Sequence, residues 1–279
     1  MIMKLSVITI NLNDADGLQK TLSSVWERQS FSDFEHIVID GASTDGSVEV
    51  IKRYADRLAY WVSEPDKGIY SAMNKGIVRA KGDYLLFLNS GDWLADDVLA
   101  KVFAEPVTDD IVYGNFTYVK RDGTLLPIEY KRPLTYTDLL IYSIGHPSSF
   151  IKRTLFDGGL YNEEFRIVSD WAFFVTQIIK NGCSVKCIGL NIAFFNDYGI
   201  SLKPEMATLT EDEHRKFLTE NFDRCFVGLY DSARERECVF DYITKNRTKE
   251  FLDSPWLIHK VRKCVKILFW LKKILGVKR

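Results

Sequence analysis

The decision about this chain's fold rests on KLSVITINLN (residues 4–13) and on DYLLFLN (83–89), which echoes it. After Lys4 the first run is β-branched and free of charge, as a strand buried on both faces must be. Asp14 can cap a helix whose apolar side is Leu18, Leu22, Val25 and Trp26. Then follow a strand HIVID (36–40), a turn GASTDG (41–46), a helix with Val48, Ile51 and Tyr54 inward, and a strand YWVSE (60–64). A helix carrying Ile69, Ala72, Met73 and Ile77 on one face leads into DYLLFLN. Strands alternating with amphipathic helices predict βαβ units: an α/β domain with a mixed, mostly parallel sheet and helices on both faces.

Beyond residue 90 the pattern is less regular. Residues 110–130 predict an antiparallel hairpin about Asp122-Gly123. Residues 170–181 predict a helix burying Trp171, Phe174, Val175, Ile178 and Ile179, with Gly182 ending it. Two short strands, SVKCIG and IAFFN, follow. After Pro204 the chain turns helical and rich in charge, which divides it into a domain over 1–204 and a helical C-terminal extension over 205–279.

Of 37 Lys/Arg and 38 Asp/Glu, the segment 255–279 holds eight of the basic residues and none of the acidic ones. The body is therefore acidic, which makes nucleic acid a poor partner. Residues 255–277 predict a basic amphipathic helix, with Leu257, Val261, Leu268 and Leu275 on one side, Arg262, Lys266 and Lys273 opposite, and Trp256 and Trp270 at the margins. Such a helix suits an anionic membrane surface; the alternative is packing on the acidic body or on a second subunit, as in a homodimer. No run reaches the roughly 18 apolar residues of a spanning helix, and the N-terminus lacks the pattern of a signal peptide. The five Cys form no metal or disulfide pattern and are expected to be reduced, in a cytoplasmic protein peripheral to the membrane.

In open α/β sheets ligands bind at the carboxyl ends of the strands. Those ends carry Asn11, Asp40, Glu64 to Gly68, and Asn89 to Asp92. Each acid taken singly is usually a cap or turn residue, but four successive polar ends form a rim. Neither G-x-G nor G-x-x-x-x-G-K-[ST] occurs, so no glycine cradle for phosphate is present. A carboxylate rim can instead hold Mg²⁺ or Mn²⁺, which bridges diphosphate oxygens.

KLSVITINLN, FEHIVIDGASTDGS, EPDKGIYSAMNKGI and KGDYLLFLNSGDWL, in that order, resemble the family-2 glycosyltransferases of the GT-A fold, in particular bacterial enzymes that build exopolysaccharide or O-antigen repeat units. The resemblance covers roughly residues 3–200 and implies a Rossmann-like nucleotide-diphospho-sugar transferase. It places the donor nucleoside on Thr9, Asn11 and Asp40, where an Asp-Gly stands for the more common pair of acids. It closes Asp66, Lys67 and Gly68 over the nucleotide and sets Ser90 and Gly91 beside the donor. The family's D-x-D metal motif is reduced here to Asn89, Gly91 and the single metal-binding carboxylate Asp92. The catalytic base falls on Asp170 in Val168-Ser169-Asp170-Trp171, and His146 falls where relatives often carry a His, to touch donor phosphate or acceptor. A lone His is more often a satisfied structural residue.

These residues predict an inverting, metal-assisted hexosyl- or N-acetylhexosaminyl-transferase. It would move sugar from a nucleotide-diphosphate sugar to a hydroxyl of a glycan or polyprenyl-linked acceptor in surface polysaccharide synthesis. A sugar nucleotidyltransferase would want a Gly-rich basic loop after the first strand, where Asn11-Leu12-Asn13-Asp14 stands. The thinned metal motif leaves open a non-catalytic nucleotide-sugar-binding scaffold at the membrane.

Overall fold

The computed structural model describes residues 4–130, 132–196, 199 and 203–245. The first ninety residues form the expected alternation: β1 (Leu5–Asn11), α1 (Ala15–Trp26), β2 (Phe34–Asp40), α2 (Ser47–Tyr54), β3 (Tyr60–Ser63), α3 (Ile69–Arg79) and β4 (Tyr84–Phe87). Then come β5 (Trp93–Leu94), α4 (Val98–Val102), β6 (Ile111–Val119), β7 (Leu125–Ile128), α5 (Tyr136–Tyr142), β8 (Ser149–Lys152), α6 (Ser169–Val175), β9 (Val185–Asn196), α7 (Ala207–Asn221) and α8 (Arg224–Lys245).

Among the described residues one sheet runs β3-β2-β1-β4-β8-β6-β9-β5, with β7 paired to β6. β3, β2, β1 and β4 are mutually parallel, whereas β8 runs antiparallel to both β4 and β6. The chain leaves β1 for β2 and β3, then returns to β4 on β1's other side. That reversal opens a crevice at the carboxyl ends of β1 and β4.

Register determines which side chains share a face. Val7, Thr9 and Asn11 lie beside His36, Val38 and Asp40, on the face where Leu18 and Leu22 of α1 pack against Val38. Ile8 faces the other way, against Gly76 of α3, where a Cβ would lie 2.5 Å from Ile8 Cγ2; only glycine permits so close a helix-to-sheet approach. The β1 side chains from Leu5 to Asn11 are all buried. Each fully buried Leu or Ile contributes roughly 1.5–3 kcal/mol.

The 110–130 hairpin forms as expected, turning at Gly123 with φ 82°. The structure differs elsewhere in instructive ways. SVKCIG and IAFFN are one strand, β9, whose pairing with β6 shifts register near Asn115; positive-φ Gly189 made the run read as two. The predicted 170–181 helix is α-helical to Val175 and continues as a π turn over Thr176–Lys180. Its Ile178 and Ile179 are half-buried, and Ala172 and Phe173 are buried instead.

Two compact units divide after Asp223, at Met1–Asp223 and Arg224–Arg279. The boundary therefore falls after α7 rather than at residue 204, because α7 packs on the first unit: Trp171 lies 4.1 Å from His214 and 5.4 Å from Phe217, ring to ring. The second unit contributes α8. The basic helix expected at 255–277 lies outside the described residues. No helix of the described residues is long and apolar enough to cross a membrane.

Candidate active site

The rim expected from the strand ends forms, as two neighbourhoods of different chemistry. At the ends of β1 and β2, Asn11 Nδ2 donates to Asp40 Oδ1 at 2.6 Å, Ser63 Oγ to Oδ2 at 2.6 Å, and Ser43 through both its hydroxyl (2.6 Å) and its N–H (2.9 Å). Asp40 is fully buried. Burial pushes its carboxyl up, but the donors Ser43, Ser63 and Asn11 outweigh that and hold it below the usual carboxylate range. The same donors keep Ala42 at φ 62°, a strained value for a residue with a Cβ. Asn13, at φ 51°, accepts from the Thr44 N–H at 2.8 Å.

Thr9 does not reach this rim. It is fully buried and its hydroxyl lies 2.9 Å from His36 Nε2, two residues back along the strand and under α1, so it serves the sheet interior. His36 is likewise buried, and desolvation depresses its pKa to about 3. Asp66 comes to the rim: a Cβ on Gly41 would lie 3.4 Å from Asp66 Oδ2. Lys75 of α3 pairs with Asp66 at 2.6 Å and Glu64 at 2.7 Å, pinning the loop that leads into that helix. Gly68, at φ 146°, turns the chain into α3, and Lys67 is exposed.

The second neighbourhood surrounds a cavity of about 730 Å³ whose walls include Tyr70, Asn89, Ser90, Asp92, His146 and Asp170. Gly91 sits behind this wall with φ 87°, where a Cβ would collide with Asn196 Nδ2. Asp92 is 2% exposed. Its Oδ1 accepts the Asn196 N–H at 3.2 Å, and its Oδ2 has no partner; Asn89 Oδ1 is orphaned in the same way. Burial pushes the Asp92 carboxyl well above the usual range, and Asp14 nearby adds to the rise. Native proteins rarely leave buried oxygens unpaired. One carboxyl oxygen and one amide oxygen, both unspent, match the hard oxygen donors that Mg²⁺ or Mn²⁺ takes alongside water and diphosphate. No cluster of three or more His, Cys, Asp or Glu occurs among the described residues, so such an ion would rest on this short donor set and on its ligand.

Asp170 stands in the first turn of α6. Tyr70 Oη donates to Asp170 Oδ1 at 2.7 Å and lies 2.6 Å from the Ile167 carbonyl oxygen. His146 Nδ1 is 4.0 Å from Asp170 Oδ2, and its Nε2 is 2.9 Å from Tyr161 Oη. The imidazole stacks on Phe87 with ring centres 4.7 Å apart. Burial lowers the His146 pKa despite the opposing pull of Asp170, so the ring is neutral at neutral pH. Burial and the Asp170 charge both raise the phenols of Tyr70 and Tyr161 well above 10. Asp170 thus stands among neutral partners, with a side chain 26% exposed on the cavity wall. It can accept a proton from a hydroxyl bound there. Ser143, on the same wall, holds φ 62°, a strained conformation of the kind that clusters at functional sites.

Sequence reasoning missed how this wall is gripped. Tyr70 and Asn74, one turn apart on α3, both reach the segment that carries Asp170: Asn74 Nδ2 donates to the Tyr161 carbonyl at 2.9 Å, and its Oδ1 accepts the Tyr161 N–H at 3.0 Å. The i, i+4 spacing in IYSAMN was the available signal.

A family model described as glycosyl transferase family 2 matches residues 6–167. An uncharacterized glycosyltransferase of Mycobacterium tuberculosis is 33% identical over 218 residues, covering 75% of this chain and 81% of that protein. A PGL/p-HBAD biosynthesis glycosyltransferase of Mycobacterium bovis is 31% identical over 205 residues, covering 70% and 77%. Among solved structures, S. aureus TarS 1–349 in complex with UDP superposes with a TM-score of 0.59 at 18% identity, covering 91% of this chain and 76% of that one. The mannosyltransferase PcManGT of Pyrobaculum calidifontis, in complex with GDP-Man and Mn²⁺, gives 0.52 at 20% identity, covering 77% and 61%. These two likenesses establish the fold.

Proposed function

The chain belongs to glycosyl transferase family 2, and from that premise we propose that it is an inverting transferase, using a nucleotide-diphosphate sugar as donor and Asp170 as base. One observation carries the reading: Asp170 presents a carboxylate to a cavity of about 730 Å³ while its polar neighbours Tyr70 and His146 are neutral. An acceptor hydroxyl in that cavity loses its proton to Asp170. Its oxygen forms the new bond to the anomeric carbon as the bond from that carbon to the diphosphate oxygen breaks, and the nucleoside diphosphate leaves with the electron pair. Attack from the face opposite the leaving group inverts the anomeric configuration.

Asp92 and Asn89 would hold Mg²⁺ or Mn²⁺, which when bound neutralises charge on the diphosphate. Ser90, Gly91, Asn11 and Asp66 flank the donor; Asp40 acts through Asn11 and Ser43 rather than by offering free oxygens. Support for the donor class comes from the structural neighbours solved with UDP and with GDP-Man. For the acceptor, the relative named for PGL/p-HBAD biosynthesis supports a place in the synthesis of a glycosylated product.

Release of nucleoside diphosphate from UDP-GlcNAc and GDP-mannose, with Mn²⁺ and with chelator, tests the reading. Cation-dependent release that falls about 10³-fold in Asp170→Asn supports it; release unaffected by that substitution defeats it. We further propose that the basic residues of 255–279 bring the protein to anionic membranes, where a polyprenyl-linked acceptor would reside. Equal co-sedimentation with phosphatidylserine vesicles of the full chain and of a chain ending at Asp253 would remove that part.

A further inference from the structure

The helix that bears Asp170 has no cap of its own. Val168 occupies its N-cap with no side-chain hydrogen bond, since an aliphatic side chain offers no acceptor, and the Ser169 hydroxyl is buried without a partner. The backbone that enters the helix is held instead from α7. Glu213 Oε1 accepts the Arg166 N–H at 2.7 Å, and its Oε2 accepts those of Ile167 at 3.0 Å and Val168 at 3.3 Å. Glu213 is 7% exposed, and a buried carboxylate taking successive backbone donors is a strong, charge-assisted anchor. α7 is seated by Phe217, whose ring lies 5.4 Å from that of Trp171, and by Lys216, which pairs with Glu164 at 3.2 Å.

From these contacts we infer that Glu213 is a positioning residue for the candidate base: it orients the 166–168 backbone, and through it Asp170, without touching substrate. The inference rests on the reading of Asp170 given above. Tyr70 grips the same segment from α3, at the Ile167 carbonyl and at Asp170 itself. The segment is thus held between α3 and α7, and it carries the one side chain that must meet the acceptor hydroxyl. Small displacements of a base are costly in rate.

The test compares the full chain with Glu213→Gln, which keeps size but removes one of the two strong acceptors. Amide hydrogen exchange at Arg166, Ile167 and Val168 is expected to speed up about tenfold or more. The Asp170 carboxyl ¹³C line, identified by its loss in Asp170→Asn, is expected to move. Unchanged exchange, or faster exchange with an unmoved Asp170 line, would overturn the inference, the latter by showing a purely structural anchor. Glu213→Asp, which retains the charge on a shorter arm, should lie between the two; it also serves as the test variant if the Gln form fails to fold.

Release from UDP-GlcNAc or GDP-mannose adds a kinetic arm: Glu213→Gln should lower kcat about tenfold or more with KM for donor unchanged, and should cost nothing further in the Asp170→Asn background. An additive loss would overturn the positioning role while leaving the base in place. Full release by Asp170→Asn alone would defeat the base, and the exchange and ¹³C results would still judge whether Glu213 holds that side chain.

Discussion

Asp40 and Asp170 are carboxylates on the same protein with opposite occupations. Asp40 sits at a strand end with its oxygens claimed by Asn11, Ser43 and Ser63. Asp170 sits at a helix start with one oxygen held by Tyr70 and the other 4.0 Å from a neutral His146, facing a cavity. Asp92 stands between these extremes, buried like Asp40 yet with an unpartnered oxygen. A carboxylate whose lone pairs are spent on the protein stabilises a frame; one with a lone pair left over is available to a ligand. Position on the rim does not separate the two roles, and hydrogen-bond accounting does.

The contrast can be broken most directly at Asp170. Asp170→Asn should keep its fold and lose about 10³-fold in kcat for sugar transfer or donor release; a melting point lowered as much as that of an Asp40 variant would erase the distinction. Next in size, Asp40→Ala should destabilise the protein by about 3 kcal/mol in denaturant titration at pH 7, because it strands several buried donors. The Asp40 pKa is lowered in the fold, so its contribution is present above the unfolded value of about 4 and lost as pH falls through the folded one. Wild type and variant should therefore converge in acid.

Asp92→Asn should have the opposite sign. Burial raises that carboxyl in the fold, so its favourable contribution exists below about pH 4 and is lost as pH rises toward the folded value. In the absence of divalent cation the variant should be more stable than wild type by about 1–2 kcal/mol at pH 7, with the gap closing in acid. Mn²⁺ with nucleotide should raise the melting point of wild type and not of the variant; the reverse pattern would assign Asp92 to the frame. Smallest, Tyr70→Phe should cost about 1 kcal/mol in transition-state stabilisation, read as a severalfold fall in kcat/KM, because Asp170 loses one donor while Glu213 still holds its backbone.

The first half of the sheet was legible because it is written locally. Uncharged runs such as LSVITI and YLLF and the amphipathic spacing of Leu18, Leu22 and Val25 specify element type within a few residues, and parallel order follows from their alternation. The Asp14 cap was legible for the same reason: its Oδ1 accepts from Gly17 N–H at 3.1 Å, within one turn. Past residue 90 the strands are held by partners far away in sequence, as β8 is by β4 and β6, and no short window records that. Asp92 and Asp170 could be named from the family motifs, yet those motifs also named Thr9, whose hydroxyl belongs to His36. Alternation along β1 puts Thr9 and Asn11 on one face, and only the end of α1's cover separates a buried structural hydroxyl from a rim amide.

The amino-acid sequence by itself determined the alternating α/β order, the succession of polar strand ends, the membership of the family and the charge of the last twenty-five residues, because each is a property of neighbours along the chain. Tertiary structure alone decided which carboxylate is spent and which is free, that Tyr70 and His146 flank Asp170, and that α7 belongs to the first unit with Glu213 holding the backbone that leads to Asp170. The physical reason is that hydrogen-bond saturation and desolvation depend on groups brought together from distant positions, and those groups meet only when the sheet and helices close over them.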